Sequence, residues 1–272
     1  MASKIPVELS GAAETMLATL YAKALDADSD RPILGDTYAK ELVERLDYDW
    51  SKTSVTTKTT PSVTIRSAHF DAWARQFLAV HDEATVLHLG CGLDARAFRL
   101  RPGPGVEWYD VDYPDVIALR EQFYPPDASY RLMPASLTEL HWLTAVPTDR
   151  PALVIAEGVV MYLTEESGIA LLRHIVERFP SGELQFDVLN RRAMRTQVFN
   201  RVLRRAGARW QWAVDGPDDI LRTVPGVRLL SGISAFDAEG FRVAPRPYRV
   251  MARVLSLVPA LKRMEQFHRY AF

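Results

Sequence analysis

A single cysteine, Cys91, stands among 272 residues. No intrachain disulfide can form, and a reducing compartment fits so cysteine-poor a chain. One cysteine and six scattered histidines show no spacing of the kind that holds zinc, so no metal is expected. Long apolar runs are also missing. The most apolar stretch, PALVIAEGVVMYL, is broken by Glu157 and falls short of the roughly 18 to 20 residues of a membrane span. The N-terminus MASKIPVELSGAAETMLATLY has no unbroken apolar core behind a basic start and does not read as a signal peptide. Neither sign of charge dominates: the formal net charge is -1, so no global field recruits nucleic acid or an anionic membrane. No internal repeat or low-complexity tract is present. The expectation is a cytoplasmic protein whose partner is a small molecule, with no nucleic acid and no membrane.

What remains is an ordinary globular composition, 48 % apolar and 25 % charged, arranged in two regimes. Residues 1–80 read as helices: ETMLATLYAKAL sets Met16, Leu17, Leu20 and Tyr21 at helical spacing, GDTYAKELVERL sets Leu42, Val43 and Leu46, and IRSAHFDAWARQFLAVH sets Phe70, Trp73, Phe77 and Leu78. The Ser/Thr-rich DYDWSKTSVTTKTTPS between them reads as a mobile loop. From Thr85 onward, short β-rich runs alternate with helical patterns. TVLHL, VEWYDV, SYRLM, ALVIA and ELQFDVL are the strands. ALVIA is apolar throughout, as a parallel strand covered on both faces should be. Thr164 caps the helix TEESGIALLRHIVERF, with two glutamates in its first turn. The remainder offers a basic helix, a short helix at PDDIL, a strand at VRLLSGI, a helix at YRVMARVLSLV and an extended QFHRYAF. Such alternation predicts an α/β protein with a parallel sheet between helices. Residues 1–80 are expected to be a helical part of the same domain as the core, 81–272.

The chemistry gathers at strand ends. TVLHL runs into Gly90-Cys91-Gly92, where glycines let the backbone approach a ligand and the following helix offers free N–H groups. With Ala95 in the third place, GCGLDA matches the dinucleotide pattern formally; a tight turn without ligand has the same appearance. The next strand ends in YDVDYP, placing Asp110 and Asp112 some 18 and 20 residues after Gly92. An acidic side chain there accepts hydrogen bonds from ribose hydroxyls and favours an unphosphorylated ribose, as in NAD, FAD or S-adenosylmethionine. A turn or cap role before Pro114 is the alternative for Asp112. Glu157 follows ALVIA at the end of a central strand. Burial unpaired would be costly, so it calls for a cationic cofactor group or a local arginine.

In this order and at these spacings, VLHLGCGLDARAFRL, WYDVDYPDVIALR, PALVIAEGVVMYLTEE and GELQFDVLNR resemble the leucine carboxyl methyltransferase family, and within it the bacterial branch of polyketide-tailoring O-methyltransferases. The resemblance takes in ILGDTYAKELVERLDYDW and IRSAHFDAW early and RYAF late, nearly the whole chain. It implies a class I methyltransferase (Rossmann-like) fold: a seven-stranded, mostly parallel sheet with an antiparallel last strand, the N-terminal helices of 1–80 capping the site, and a core, 81–272, whose C-terminal elements lie on the substrate side. It implies S-adenosylmethionine as cofactor and a carboxylate or hydroxyl of a small molecule as acceptor. Arg66, in IRSAHFD, is implied to bind the cofactor carboxylate, which a bidentate guanidinium suits, with Lys23 assisting. Gly90 and Gly92 are implied to lie along the methionine part, Asp110 and Asp112 at the ribose, and Ser136 and Leu137 at the adenine. Two departures stand out: eukaryotic members carry Asp where Ser136 stands, and many methyltransferases carry an acid where His88 stands.

A sulfonium methyl is already a good electrophile, so the expected work of the protein is alignment and exclusion of water. A carboxylate acceptor is ionised at neutral pH and needs no base; a phenol would be helped by one. Glu157 and Tyr162 are the candidates for orienting the methionine end or the acceptor, with His69 an outsider. Cys91 reads as a small turn residue with no base beside it. The six arginines between 191 and 205 read as a solvated face, with Met194, Val198, Val202 and Leu203 inward; one arginine near LNRR steering an acidic acceptor is a variant. Trp73 packs in the core or stacks on an acceptor. The competing readings are an NAD-dependent oxidoreductase, on GCGLDA and Asp110, and a non-catalytic binder that kept the fold.

Overall fold

Residues 4–7, 9 and 11–272 are described, in a computed structural model. Seven strands form the central sheet: β1 (Ala84–Leu89), β2 (Val106–Asp112), β3 (Tyr130–Pro134), β4 (Ala152–Ala156), β5 (Gly182–Leu189), β6 (Arg228–Ser234) and β7 (Glu265–Ala271). Their spatial order is β3-β2-β1-β4-β5-β7-β6. Pairings from β3 through to β5 are parallel. β7 runs antiparallel to both its neighbours and slots between β5 and β6.

Period-two alternation divides the apolar side chains between two faces. Leu87, Leu89, Tyr109, Val111, Val154 and Leu184 pack on one side, against α6 (Glu165–Arg178) and α9 (Pro217–Thr223). Val86, Trp108, Leu153, Ile155 and Phe267 pack on the other. That second face is covered by α1 (Gly11–Ala27), α2 (Thr37–Arg45) and α3 (Thr60–Leu78), with α4 (Arg96–Leu100) and α5 (Pro114–Glu121) beside them. β1 and β4 are buried at every position, which is why their sequences do not alternate with polar residues. Thr164 caps α6, its side chain accepting from Ser167 N.

Local polar groups fix how the helical N-terminal part sits. The Asp26 carboxylate accepts from the backbone N–H groups of Ile33, Leu34 and Gly35 at 3.0, 2.8 and 3.0 Å, closing the turn after α1. Asp36 caps α2 through Ala39 N and takes a second bond from Arg99 Nη1 at 2.7 Å, which ties the cap to α4. The Ser/Thr-rich segment expected to be a mobile loop is instead structured. Trp50–Thr53 make a 3₁₀ turn, Trp50 stacks on Tyr21 at 5.3 Å, and Thr53 is buried.

The basic helix also departs from expectation. It is broken into α7 (Arg191–Arg195), a 3₁₀ turn (Thr196–Phe199) and α8 (Arg201–Ala206). Leu203 is buried, but the break rotates Val198 outward to 60 % exposure. α10 (Arg246–Ser256) and α11 (Pro259–Lys262) complete the chain before β7. No helix among the described residues is long and apolar enough to cross a membrane.

Candidate active site

Connections from β1 and β4 leave toward opposite faces of the sheet, α4 on one and α6 on the other. A crevice opens at their carboxyl ends, as in other open parallel sheets. Here it is a cavity of about 850 Å³, roofed by α1, α3 and α8. Lys23, Arg66, Gly90, Gly92, Asp112, Leu137, Glu157 and Tyr162 all line it.

The glycine turn is dictated by backbone need. Gly90 and Gly92 have φ of +60° and +52°, a region costly for residues with a β-carbon. A β-carbon on Gly90 would also lie 2.3 Å from Cγ2 of Val159, the wall opposite. Gly92 N donates to Asp112 Oδ2 at 2.8 Å and Tyr113 N to Asp112 Oδ1 at 2.8 Å. Each oxygen keeps a lone pair, and burial raises this carboxyl above the usual aspartate value despite those bonds. Cys91 is buried, and burial pushes its thiol well up; it is no nucleophile.

Asp110, paired with Asp112 in the sequence reading, does not reach the cavity. It is fully buried beneath the turn. Its Oδ1 accepts from His88 Nδ1 at 2.7 Å and Trp108 Nε1 at 2.9 Å, and its Oδ2 from Tyr130 Oη at 2.6 Å and from Arg120. Burial alone would raise its carboxyl; Arg120 and His88 outweigh that and hold it at about 2. Position along the strand explains the difference: the two aspartates share a face, but Asp110 lies within the covered part of the strand and Asp112, two residues on, at its open end. His88 therefore works as a strand residue satisfied by Asp110, with Arg96 Nη1 at 3.4 Å from its other nitrogen.

Glu157 finds its positive partners within the chain. Its Oε1 accepts from Arg66 Nε at 3.1 Å and Ser67 Oγ at 2.7 Å, and its Oε2 from Arg96. Burial opposes ionisation, but Arg96, Lys23 and Arg66 together hold the carboxyl below its ordinary value. Arg66 also donates through Nη1 to Asp187 Oδ2 at 3.0 Å, and Glu265 Oε1 lies 3.6 Å from the same nitrogen. Its Nη2 makes no hydrogen bond to the described residues. Burial would disfavour its charge, yet Asp187, Glu157 and Glu265 raise its basicity further.

This pairing is part of a wider web. Lys23 meets Asp94 at 2.9 Å; Arg96 meets Asp71 at 2.8 Å; Arg99 meets Asp36, Asp71 and Asp94 at 2.7, 2.6 and 3.0 Å. Across it, the carboxylates of Asp36, Asp71, Asp94, Glu157, Asp187 and Glu265 outnumber the cations of Lys23, Arg66, Arg96 and Arg99.

The remaining candidates divide. Leu137 and Ala135 line the cavity, while Ser136 between them does not: its hydroxyl is bonded to that of Thr138 at 2.8 Å within the turn. Tyr162 lines the wall, its hydroxyl 3.4 Å from that of Thr15 on α1. His69 and Trp73 lie outside the cavity and pack on each other at 4.3 Å; burial drives the His69 imidazole down to about 4. The arginines of 191–205 are exposed, though Arg201, with Arg209 beyond, reaches the cavity rim.

Asp187, Glu265, Ser67, Arg96 and Asp94 are central residues that sequence reasoning passed over. Asp187 carried a readable signal: a carboxylate near the end of an apolar strand, as for Glu157. It also accepts from Gly158 N. Glu265 had none, because only the antiparallel insertion of β7 brings its first residue opposite Leu189 at the ligand edge.

A model of the family described as leucine carboxyl methyltransferase matches residues 15–176. The chain is 42 % identical over 266 residues to the tetracenomycin polyketide synthesis O-methyltransferase TcmP of Streptomyces glaucescens, covering 98 % of each. It is 37 % identical over 243 residues to the S-adenosyl-L-methionine-dependent methyltransferase dpfgK of Gibberella zeae, covering 82 % of each. Among solved structures, a Thermobifida fusca protein assigned as a methyltransferase matches with a TM-score of 0.60 at 14 % identity, over 92 % of this chain and 93 % of that one. This last likeness speaks for the fold.

Proposed function

The chain belongs to the leucine carboxyl methyltransferase family, and from that premise we propose that it methylates an oxygen, carboxylate or hydroxyl, of a small polyketide-like metabolite in the cytoplasm. It has the class I methyltransferase fold and is a methyltransferase that uses S-adenosylmethionine. The oxidoreductase reading of GCGLDA finds no support among these relatives.

One observation carries the reading. A glycine turn, a strand-end carboxylate with free lone pairs and a guanidinium with an unbonded Nη2 converge on one cavity at the sheet's ligand edge. The residues suit the cofactor in charge as well as shape. Its sulfonium and ammonium outweigh its carboxylate, and the surrounding web has carboxylates in excess. In this proposal Arg66 Nη2, assisted by Lys23, takes the cofactor carboxylate; Gly90 and Gly92 border the methionine part; Asp112 alone takes the ribose; and Ala135 and Leu137 border the adenine.

When bound, the cofactor supplies an electrophilic methyl group. The chain's contribution is to hold and orient. Glu157, fixed ionised by three cations, keeps Arg66 in place and adds negative potential beside the amino-acid end. Tyr162 and α1 wall the cavity, and holding the reactants aligned is worth about 7 to 11 kcal/mol of barrier in favourable cases. Calorimetry with S-adenosylhomocysteine and NAD tests the cofactor assignment: saturable binding of the first alone is expected, and binding of NAD alone would overturn it. Incubation with methyl-labelled cofactor and an extract of small metabolites tests the transfer. Label recovered in a small-molecule ester or ether is the expected result; label absent from every small molecule would argue for a binder.

A further inference from the structure

A second cavity, of about 240 Å³, adjoins the first. Both are lined by Ser62 and Glu265. Apart from these, its walls are apolar and aromatic: Ile65 from α3, Phe236 and Phe241 from the turns after β6, Tyr248 from α10, Leu261 from α11 and Phe267 from β7. Phe241 stacks on Tyr248 at 5.5 Å with planes 22° apart, and Phe236 meets Phe241 edge-on at 5.7 Å. Flat aromatic walls favour an offset or edge-on ring between them. A cavity of about 150 Å³ takes one benzene ring, so this one has room for a substituted ring or two fused rings.

Glu265 is set apart from the other carboxylates around Arg66. Asp187 is fully buried and Glu157 nearly so, and both are hydrogen-bonded. The Glu265 side chain keeps 31 % of its surface open, has no hydrogen bond to the described residues, and stands 3.6 Å from Arg66. It therefore sits where the amino-acid end of the large cavity meets the aromatic pocket.

We propose that the smaller cavity is the acceptor subsite, that it takes a planar aromatic ring bearing the oxygen nucleophile, and that Glu265 shares a hydrogen with that oxygen. The proposal rests on the O-methyltransferase reading and adds the acceptor's class and place. For a hydroxyl acceptor, the O–H proton passes to the Glu265 carboxylate, the O–CH3 bond forms, and the S–CH3 bond breaks with its electron pair going to sulfur. For a carboxylate acceptor no proton moves; Glu265 stays protonated and donates to the acceptor, while the same bonds form and break. Both forms of Glu265 are available near neutral pH. Burial, opposed by Arg66 and reinforced by Asp187 and Glu157, pushes it up to about 7. The groups facing it are Arg66 from α3, Glu157 after β4, Asp187 from β5 and Tyr248 from α10.

The test uses the full chain saturated with S-adenosylhomocysteine and two probes, 2-naphthol and 2-naphthoate, with affinities measured by calorimetry from pH 5.5 to 8.5. At least one probe is expected to bind. Leu261→Trp, which fills the pocket, should weaken it tenfold or more while S-adenosylhomocysteine binds as before and circular dichroism stays native. Naphthol binding should tighten as pH rises through about 7 and naphthoate binding as pH falls, and Glu265→Gln should flatten either profile. The sign of the slope then separates ether from ester chemistry. Failure of both probes on the liganded protein, undiminished probe binding in folded Leu261→Trp, or an unchanged pH profile in Glu265→Gln would each overturn the proposal with the cofactor reading intact. Failure of S-adenosylhomocysteine itself would overturn the reading beneath it.

Discussion

Asp110 and Arg120 form an ion pair with no exposure to solvent on either side chain. Arg120 passes that hold on to the glycine turn, donating to Gly92 O at 2.9 Å and Asp94 O at 2.7 Å. The two aspartates of YDVDYP thus grip the same turn from different sides: Asp110 through Arg120 from below, Asp112 directly through Gly92 N at the cavity.

Asp110→Ala and Asp112→Ala should therefore separate. The first leaves a buried guanidinium unpaired and should cost about 3 to 5 kcal/mol of stability. The second strips two backbone N–H groups of a half-buried acceptor and should cost less, about 1 to 2 kcal/mol, while S-adenosylhomocysteine affinity drops roughly tenfold or more. Equal effects on stability would refute the division of labour.

Arg66→Ala should weaken S-adenosylhomocysteine binding by roughly 10- to 100-fold, the scale of a lost charge-assisted contact. It should also lower the melting temperature, since Asp187 and Glu157 lose a partner. Arg66→Lys should recover part of the stability and less of the affinity, because an ammonium cannot serve three directions in a plane. Unchanged affinity in both variants would move the cofactor carboxylate elsewhere.

Gly90→Ala meets two obstacles, the positive φ and the Val159 side chain. Combining it with Val159→Ala removes only the second. The double variant should regain part of the lost stability and stay about 1 to 2 kcal/mol below Val159→Ala alone. Full recovery would mean that φ carries no cost here.

Acid and base limbs of stability should have different owners. Asp110, held at about 2 against 3.8 unfolded, contributes stability that is present above about pH 4 and lost as pH falls toward 2, on the order of 2 kcal/mol. Glu265, raised to about 7 from 4.5, acts oppositely: its contribution is present below about pH 4.5 and lost as pH rises through 7. Melting curves of Glu265→Gln should show a shallower decline between pH 5 and 7.5 than the parent, with the acid limb unchanged.

Strand ends were legible in the sequence because they combine two local signals, an apolar run and a residue type that breaks it. Gly90, Asp112 and Glu157 were found that way and lie together. Asp110 carried the same mark and shares the face of Asp112, but it lies one pleat repeat short of the strand end, where His88, Trp108, Arg120 and Tyr130 cover it, and how far along a strand that cover reaches is not readable before the packing is known. The ionic web escaped because its members come from α1, α3, α4 and three strands, and only packing makes them neighbours. Arg96 looked like an ordinary helix residue, yet it is fully buried against Asp71 and Glu157. The pattern of Ser and Thr in 47–62 suggested mobility; two aromatic contacts of Trp50, with Tyr21 and Tyr48, give that segment an anchor composition alone does not reveal.

β7 lies inside the sheet although it follows β6 in the chain. During synthesis β6 leaves the ribosome with no strand to join, since among the described residues its one partner is β7, and β5 waits with a bare edge. The sheet thus closes in an order opposite to that of translation at this end, with residues 265–271 as the piece that locks it. Glu265 is the first residue of that piece. The walls that Glu265 and Phe267 give to the smaller cavity are therefore the last part of the sheet's ligand edge to be synthesised.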